Sequence, residues 1–356
     1  MRPWRGRTAP CGDERLGALV SDSSPESPAS AAAPIDPAQR EAIGDTGVSV
    51  SRIGLGCAPL GNLFSAIDDD TALAVVDAAW DSGIRYFDTA PLYGAGLSEE
   101  RLGRALSGRR RDDYVISTKV GRLLRPGDAD PADIFDVARG VRAEFDFSAD
   151  GARRSLEESL VRLGLDRVDI ALVHDPDDHI DAALSGAFKA LVAMRDEGIV
   201  GAIGAGMNQW QALDRFVREV DLDVVLIAGR CTLIDRGATE VLVPRCAEAG
   251  VAVVVGGVFN SGVLAAGGPH GGPGPAIGSR TFEYGPVPHD VQRQVARIER
   301  ACTMAGVALG AAALQFPFRF PGITSVVVGA RSPHELAQDL KWASVPVPDD
   351  LWEDIG

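Results

Sequence analysis

Asp88, Tyr93, Lys119 and His174 are four side chains whose types and spacing could do chemistry together. Asp88 closes the apolar run Arg85-Tyr86-Phe87-Asp88, and Tyr93 follows on the turn Thr89-Ala90-Pro91-Leu92-Tyr93-Gly94. Lys119 ends Tyr114-Val115-Ile116-Ser117-Thr118-Lys119, and His174 ends Val168-Asp169-Ile170-Ala171-Leu172-Val173-His174. The chemistry this set offers is proton transfer. A phenol has an ordinary pKa of about 10, too high for a base at neutral pH. An ammonium a few ångströms away favours the phenolate and is expected to lower that pKa. Asp88 would keep Lys119 charged and aimed. Tyr93 could then give a proton to a carbonyl oxygen or take one from a hydroxyl, while His174 orients the same oxygen. Taken singly, each residue has a structural reading as a turn cap, a loop aromatic, a snorkelling lysine or a rim histidine. The run His174-Asp175-Pro176-Asp177-Asp178-His179 is expected to be an acidic loop and not a metal site, because no second cluster supplies further ligands.

Convergence of the four requires that their strand ends be neighbours. From about residue 45 the chain alternates short apolar runs with amphipathic ones. Strands are predicted at 53–56, 84–88, 114–119, 168–173, 200–205, 224–228, 251–255 and 325–329. Helices are predicted at 71–82, 99–106, 151–163, 182–197, 209–219, 240–249, 289–305 and 334–342. Buried, non-alternating strands separated by helices pair in parallel with right-handed crossovers. Eight such units close into an α/β fold, the (β/α)8 TIM barrel, with reactive groups on the loops at the strands' carboxyl ends. The turn Gly44-Asp45-Thr46-Gly47 predicts a β-hairpin over 40–50, ahead of the first strand. Two long connections, 121–148 and 256–288, interrupt the regular spacing. The second is Gly/Pro-rich over 265–278, and a substrate-covering loop is expected there.

Composition bounds the rest. The 356 residues suffice for a large core, and 46% hydrophobic with 24% charged residues is ordinary for a globular domain. The net charge of −15 argues against nucleic acid or an anionic membrane as a partner. No run of about 18 apolar residues predicts a membrane span. Five scattered cysteines without a Cys-x-x-Cys suggest free thiols in a cytoplasmic protein. Residues 1–40 include the Ser/Pro/Ala-rich tract 21–37 and are expected to be a disordered tail. Residues 41–356 are expected to form a single barrel domain, either a monomer or a small homo-oligomer.

The segment from Arg85 to Gly94, continued by Ser98-Glu99-Glu100-Arg101-Leu102-Gly103, closely resembles the signature of the aldo-keto reductases, which are nicotinamide-dependent oxidoreductases. Asp88, Tyr93, Lys119 and His174 match the Asp-Tyr-Lys-His tetrad of that family. The resemblance implies a hairpin plugging the barrel floor and a cofactor lying extended across its mouth. No Rossmann fingerprint competes, since Gly54-Leu55-Gly56 and Gly201-Ala202-Ile203-Gly204-Ala205-Gly206 both lack the required spacing. By resemblance, Asn208 would grip the nicotinamide carboxamide, with Met207 in place of the usual serine. Phe259, Asn260, Ser261 and Gly262 fall where backbone amides meet the pyrophosphate. Gly256 stands where many members place a stacking aromatic, a role for which Phe259 is a candidate. Gly329, Arg331, Ser332, Glu335 and Asp339 open the last unit, where a helix N-terminus can hold a phosphate or ribose oxygen. Glu335 and Asp339 replace the Arg and Asn usual in enzymes that use a 2′-phosphate. Their carboxylates favour NAD over NADP, although Arg331 pulls the other way.

Within the family, Leu60-Gly61-Asn62-Leu63-Phe64, Glu144-Phe145-Asp146-Phe147-Ser148, His174-Asp175-Pro176 and Phe259-Asn260-Ser261-Gly262 resemble the branch that oxidises free aldoses at C1. Cys231 departs from that branch, which typically has Tyr there. The resemblance implies a sugar bound as its cyclic hemiacetal and oxidised to the lactone, with Asn260 and the Phe64 loop as candidates for reading ring hydroxyls. A general aldehyde or ketone reductase and a pyridoxal 4-dehydrogenase are the alternatives inside the family. A Schiff-base lyase using Lys119 or a non-catalytic regulatory barrel lie outside it.

Overall fold

The computed structural model describes residues 34–128, 134–137, 139–266 and 280–356. Its eight central strands are β1 (Ile53–Gly56), β2 (Tyr86–Asp88), β3 (Val115–Val120), β4 (Val168–His174), β5 (Val200–Met207), β6 (Val224–Ala228), β7 (Ala252–Gly256) and β8 (Ile323–Val328). They close into a barrel in sequential order, every neighbour pair parallel. Each predicted strand is present, two of them with the predicted bounds and the others with ends shifted by at most two residues.

The strands are apolar on both faces because both faces are covered. Inside the barrel, Tyr86, Val115, Ile170, Leu172, Val224, Leu226, Val254 and Val327 pack with Ile43 and Val50. Those last two come from the hairpin Arg40–Ala42/Ser49–Ser51, so the expected hairpin contributes directly to the interior. Outside, the strands pack against the helices through Val75, Val76, Leu102, Leu156, Leu191, Phe216 and Leu336. Helix starts are fixed chemically: Asp68 accepts from the Thr71 amide at 2.7 Å, and Ser148 accepts from the Gly151 amide at 3.0 Å.

Several boundaries differ from expectation. The tail was expected to run to residue 40, and its residues 1–33 lie outside the described ones. From 34 onward the chain is docked: Ile35 joins the main core, and its amide donates to Ala343 O at 3.0 Å. The connection 121–148 contains an antiparallel hairpin, Arg122–Pro126 with Val141–Phe145. Most of the Gly/Pro-rich stretch 265–278 lies outside the described residues, but Thr281–Phe282 and Gly285–Pro286 form a small hairpin beyond it. Helix Leu309–Gln315 had no sequence prediction. It is buried on every side, so its Leu-Gly-Ala-Ala-Ala-Leu-Gln sequence carries no amphipathic period. Among the described residues, no single helix is long and apolar enough to cross a membrane.

Candidate active site

The carboxyl ends of β2, β3 and β4 are adjacent, and they bring the four predicted residues together. Lys119 is 1% exposed, and its Nζ donates to Asp88 Oδ2 at 2.8 Å, Thr89 O at 2.9 Å and Tyr93 Oη at 2.9 Å. An ammonium has three donors, and all three are engaged. The other Asp88 oxygen accepts from Ser117 Oγ at 2.7 Å, and Ser117 lies 3.0 Å from the Tyr86 hydroxyl. Because the Ser117 proton points to Asp88, Tyr86 must donate to Ser117. The His174 ring stands edge-on to the Tyr93 ring, with centroids 5.9 Å apart.

The tyrosine loop is held from below. Gly94 has φ +62°, and a Cβ there would lie 2.3 Å from Gly61 O, so the two loops touch backbone to backbone. Ser98 donates to Cys57 O at 2.7 Å and pairs with Thr89 at 2.8 Å. Glu99 is fully buried, accepting from Thr118 Oγ1 at 2.6 Å and pairing with Arg162 at 2.6 Å. Glu99 therefore ties the helix Leu97–Leu106 to the residue preceding Lys119. Phe135 packs over Tyr93 at 5.7 Å between centroids, placed by a bridge between its own segment and Leu63.

Electrostatics correct one expectation. The Tyr93 phenol is raised to about 12, not lowered: burial is the largest cause, and Lys119 pulls back without overcoming it. Burial also weighs against the Lys119 charge, but Asp88 and Tyr93 outweigh it and raise the ammonium above its ordinary value. His174 is pushed well below the imidazole range, first by burial and then by the Arg122 and Lys119 cations. The site at neutral pH is therefore a neutral phenol, a charged lysine and a neutral imidazole. That arrangement can donate a proton directly, and it becomes a base as the pH rises.

The residues expected to hold a cofactor lie around the rest of the rim, and their side chains are only partly free. Asn208 follows β5 and is half-buried. Phe259 packs edge-on against Trp342 at 5.6 Å and belongs to the surrounding core, which ties its ring to the protein. Asn260 Nδ2 donates to Gly229 O at 3.1 Å. Asn260, Ser261 and Gly262 all have positive φ, and the amides of Asn260 and Gly262 donate within the turn, to Gly257 O and Phe259 O. Ser332 caps the helix Pro333–Ser344, accepting from the Glu335 amide at 3.2 Å, while Glu335 accepts from the Arg331 amide at 2.8 Å. Arg331 also bonds Ser65 in the neighbouring loop after β1, and Gly329 lies against Pro59. Asp339 is buried, and its carboxyl is driven well above the ordinary range by burial and then by Glu335.

Three buried polar atoms here have no protein partner: Asn260 Oδ1, Arg331 Nε and Gln338 Nε2. Buried polar atoms are normally paired, so this arc of the rim fits a long polar ligand that would complete them. Gln338 was not among the predicted residues, and nothing in its sequence context marks it. Asp175 and Arg122 also escaped prediction. Arg122 Nη2 lies 3.2 Å from Asp175 Oδ2, which is 3.4 Å from His174 Nε2. Among the described residues, no group of three or more His, Cys, Asp or Glu is placed to hold a metal. A surface cavity of about 560 Å³ between Arg111, Leu160 and Arg167 includes none of the tetrad.

Comparison with known proteins agrees with this geometry. The profile of the Aldo/keto reductase family matches residues 52–356. A D-threo-aldose 1-dehydrogenase from Pseudomonas sp is 45% identical over 316 residues, covering 87% of this chain and 94% of that protein. A pyridoxal 4-dehydrogenase from Microbacterium luteolum is 38% identical over 335 residues, covering 88% and 95%. An aldo-keto reductase from Bacillus halodurans, solved in its holo form, superposes with a TM-score of 0.70 at 23% identity, covering 89% of this chain and 95% of that one. At that identity it speaks for the fold alone.

Proposed function

The chain belongs to the aldo/keto reductase family, and we propose that within it the enzyme oxidises the C1 hemiacetal of a free aldose to the lactone, with NAD preferred over NADP. The family establishes an oxidoreductase that uses a nicotinamide cofactor. The observation that carries the sugar reading is the 45% identity, over most of both chains, to a D-threo-aldose 1-dehydrogenase.

When bound, the nicotinamide supplies the acceptor or donor of hydride. The protein's own residues handle the proton. As the phenolate, Tyr93 takes it from the anomeric hydroxyl during oxidation, and as the neutral phenol it gives one to the carbonyl oxygen during reduction. Lys119, 2.9 Å away, stabilises the phenolate form in either direction, and Asp88 keeps the lysine aimed. His174, neutral at pH 7, donates to the same substrate oxygen and orients it. Asn208, Arg331, Ser332 and the loop Phe259 to Gly262 are the residues we assign to cofactor binding. Glu335, exposed at the helix start, disfavours a 2′-phosphate there, whereas burial favours the neutral form of Asp339 and removes it from the role the sequence suggested.

A second reading, reduction of simple aldehydes, is favoured by one observation: the Tyr93 phenol at about 12 is protonated at neutral pH, which is the acid form. The deciding experiment follows NAD reduction against a panel of free aldoses and pyridoxal, alongside NADH oxidation with simple aldehydes. A free aldose with the highest kcat/KM supports the proposal. Turnover confined to pyridoxal or to plain aldehydes defeats it.

A further inference from the structure

We propose that Asp175, braced by Arg122, accepts a hydrogen bond from a hydroxyl on the carbon next to the reacting carbon, and so selects α-hydroxy aldehydes and their cyclic forms over plain aldehydes. The inference deepens the sugar reading above and rests on it for the placement of the reacting oxygen beside Tyr93 and His174.

Asp175 is the first residue past β4, and Arg122 opens the hairpin strand that follows β3, so both stand just outside the strand ends that carry Lys119 and His174. Asp175 has φ +41°, a conformation uncommon for any residue but glycine, and its amide donates to Gly206 O at 3.1 Å. That bent backbone turns the carboxylate back toward the site: Oδ2 lies 3.4 Å from His174 Nε2. Arg122 holds the same oxygen at 3.2 Å and lies over the Phe145 ring at 4.6 Å. One face of the pair is thus fixed while the carboxylate stays about one-third exposed at the mouth.

The surroundings of the pair are polar and incompletely paired. His174 Nδ1, Arg122 Nε and Asp177 Oδ1 are buried with no protein hydrogen bond, and His174 is 6% exposed. A vicinal diol fits the arrangement. Its two oxygens lie within a hydrogen bond of each other, so with one oxygen on His174 and Tyr93 the next falls beside the carboxylate. An ionised carboxylate only accepts, so it recognises a hydroxyl by its proton and gains nothing from the hydrogen of a deoxy carbon. Rejection of an analogue lacking the hydroxyl is the stronger half of such recognition, because that analogue displaces water from the exposed part of the carboxylate without replacing its hydrogen bond.

The test uses the full-length enzyme and measures kcat/KM for reduction of D-glyceraldehyde and of propanal. The readout is their ratio. Asp175→Asn should lower that ratio by about tenfold or more, and Arg122→Gln should lower it in the same direction. Asparagine tolerates positive φ, so the backbone conformation is kept. Should Asp175→Asn nonetheless fail to fold, Arg122→Gln supplies the same readout. A ratio within twofold of wild type overturns the inference, because a residue that merely orients His174 would slow both substrates together. Oxidation of free aldoses by the wild type is scored separately. If that oxidation is absent while the ratio falls, the sugar reading fails and the Asp175 inference stands. If it is present while the ratio stays, the reverse holds.

Discussion

The barrel rim has two unlike halves. Around β2, β3 and β4 every polar group of the Asp88–Lys119–Tyr93 chain is answered, and the chain is backed by Ser117, Tyr86 and Thr89. Around the loops after β7 and β8, Asn260 Oδ1, Arg331 Nε and Gln338 Nε2 are buried and unanswered, and consecutive residues carry positive φ. The Asp88–Lys119–Tyr93 chain is complete without a ligand, whereas the arc after β7 and β8, where we place the cofactor, keeps unpaired polar atoms. Asp88, Lys119 and His174 sit on strand ends, and Tyr93 sits on a loop pinned against Gly61 and Cys57, so neighbours fix each group from several sides. The cofactor binding we propose falls instead largely on the loops after β7 and β8 and on the first turns of the helix Pro333–Ser344, where polar atoms are left unpaired.

Removing the acid/base group tests that contrast most strongly. Tyr93→Phe deletes the proton carrier and nothing in the loop half, so kcat/KM should fall by about 10²–10⁴-fold. The cofactor Kd, measured by fluorescence titration, should change by less than about twofold. A comparable loss in cofactor affinity would mean that the halves are not separable.

Asp88→Asn comes next, because it leaves a buried ammonium without its counter-charge. Breaking a buried ion pair costs about 3–5 kcal/mol. The retained amide oxygen can still accept from Lys119, so the expected loss in urea unfolding is near the lower end. A loss below about 1 kcal/mol would show that the strand half is less tightly determined than its geometry suggests.

That over-determination is also why the strand half was legible in the sequence. Asp88, Lys119 and His174 each end an apolar run, and a closed barrel of eight such runs leaves their ends little freedom. The loop half has no comparable rule. Asn260 and Glu335 could be named as polar groups near the cofactor, but their local bonds, to Gly229 O and from the Arg331 amide, depend on how the turns close. Asp175 was read as part of an acidic loop, because its positive φ and its pairing with Arg122, 53 residues away, leave no trace in spacing. The direction of the Tyr93 shift was missed for a related reason. The sequence places the cation beside the phenol, but burial depends on Phe135 and on the loops that cover the ring.

The pH dependence sharpens the same contrast within the strand half. With the phenol at about 12, the phenolate fraction grows about tenfold per pH unit below that value. Aldose oxidation should therefore climb from pH 7 to 9, by up to that factor per unit, while aldehyde reduction stays nearly flat. Oxidation that is level across this range would place the controlling proton elsewhere than on Tyr93.

In the loop half the charge on Glu335 is expected to weigh against a 2′-phosphate. Wild-type kcat/KM should favour NAD over NADP, and Glu335→Gln should narrow that ratio by several-fold, since a charge near the protein surface contributes about 1 kcal/mol. The glutamine oxygen can still accept from the Arg331 amide, so the turn itself is retained. A ratio that does not move would assign cofactor preference to Arg331.

The smallest effect separates helix capping from ligand binding. Ser332 accepts from the Glu335 amide at 3.2 Å and starts the helix whose first turn faces the loop after β8. Ser332→Ala removes one cap, which costs about 1 kcal/mol of stability. In a chain of this size that is a shift of about 2 °C or less in Tm. Were capping its whole role, the cofactor KM would follow only the small change in folded population, which is negligible at 25 °C. If Ser332 also touches a phosphate or ribose oxygen, as its place at the helix start suggests, the cofactor KM should rise about threefold or more while KM for the carbonyl substrate moves less. Ser332→Thr keeps a cap of nearly equal strength, and its recovery of Tm without recovery of the cofactor KM would separate the cap from the contact.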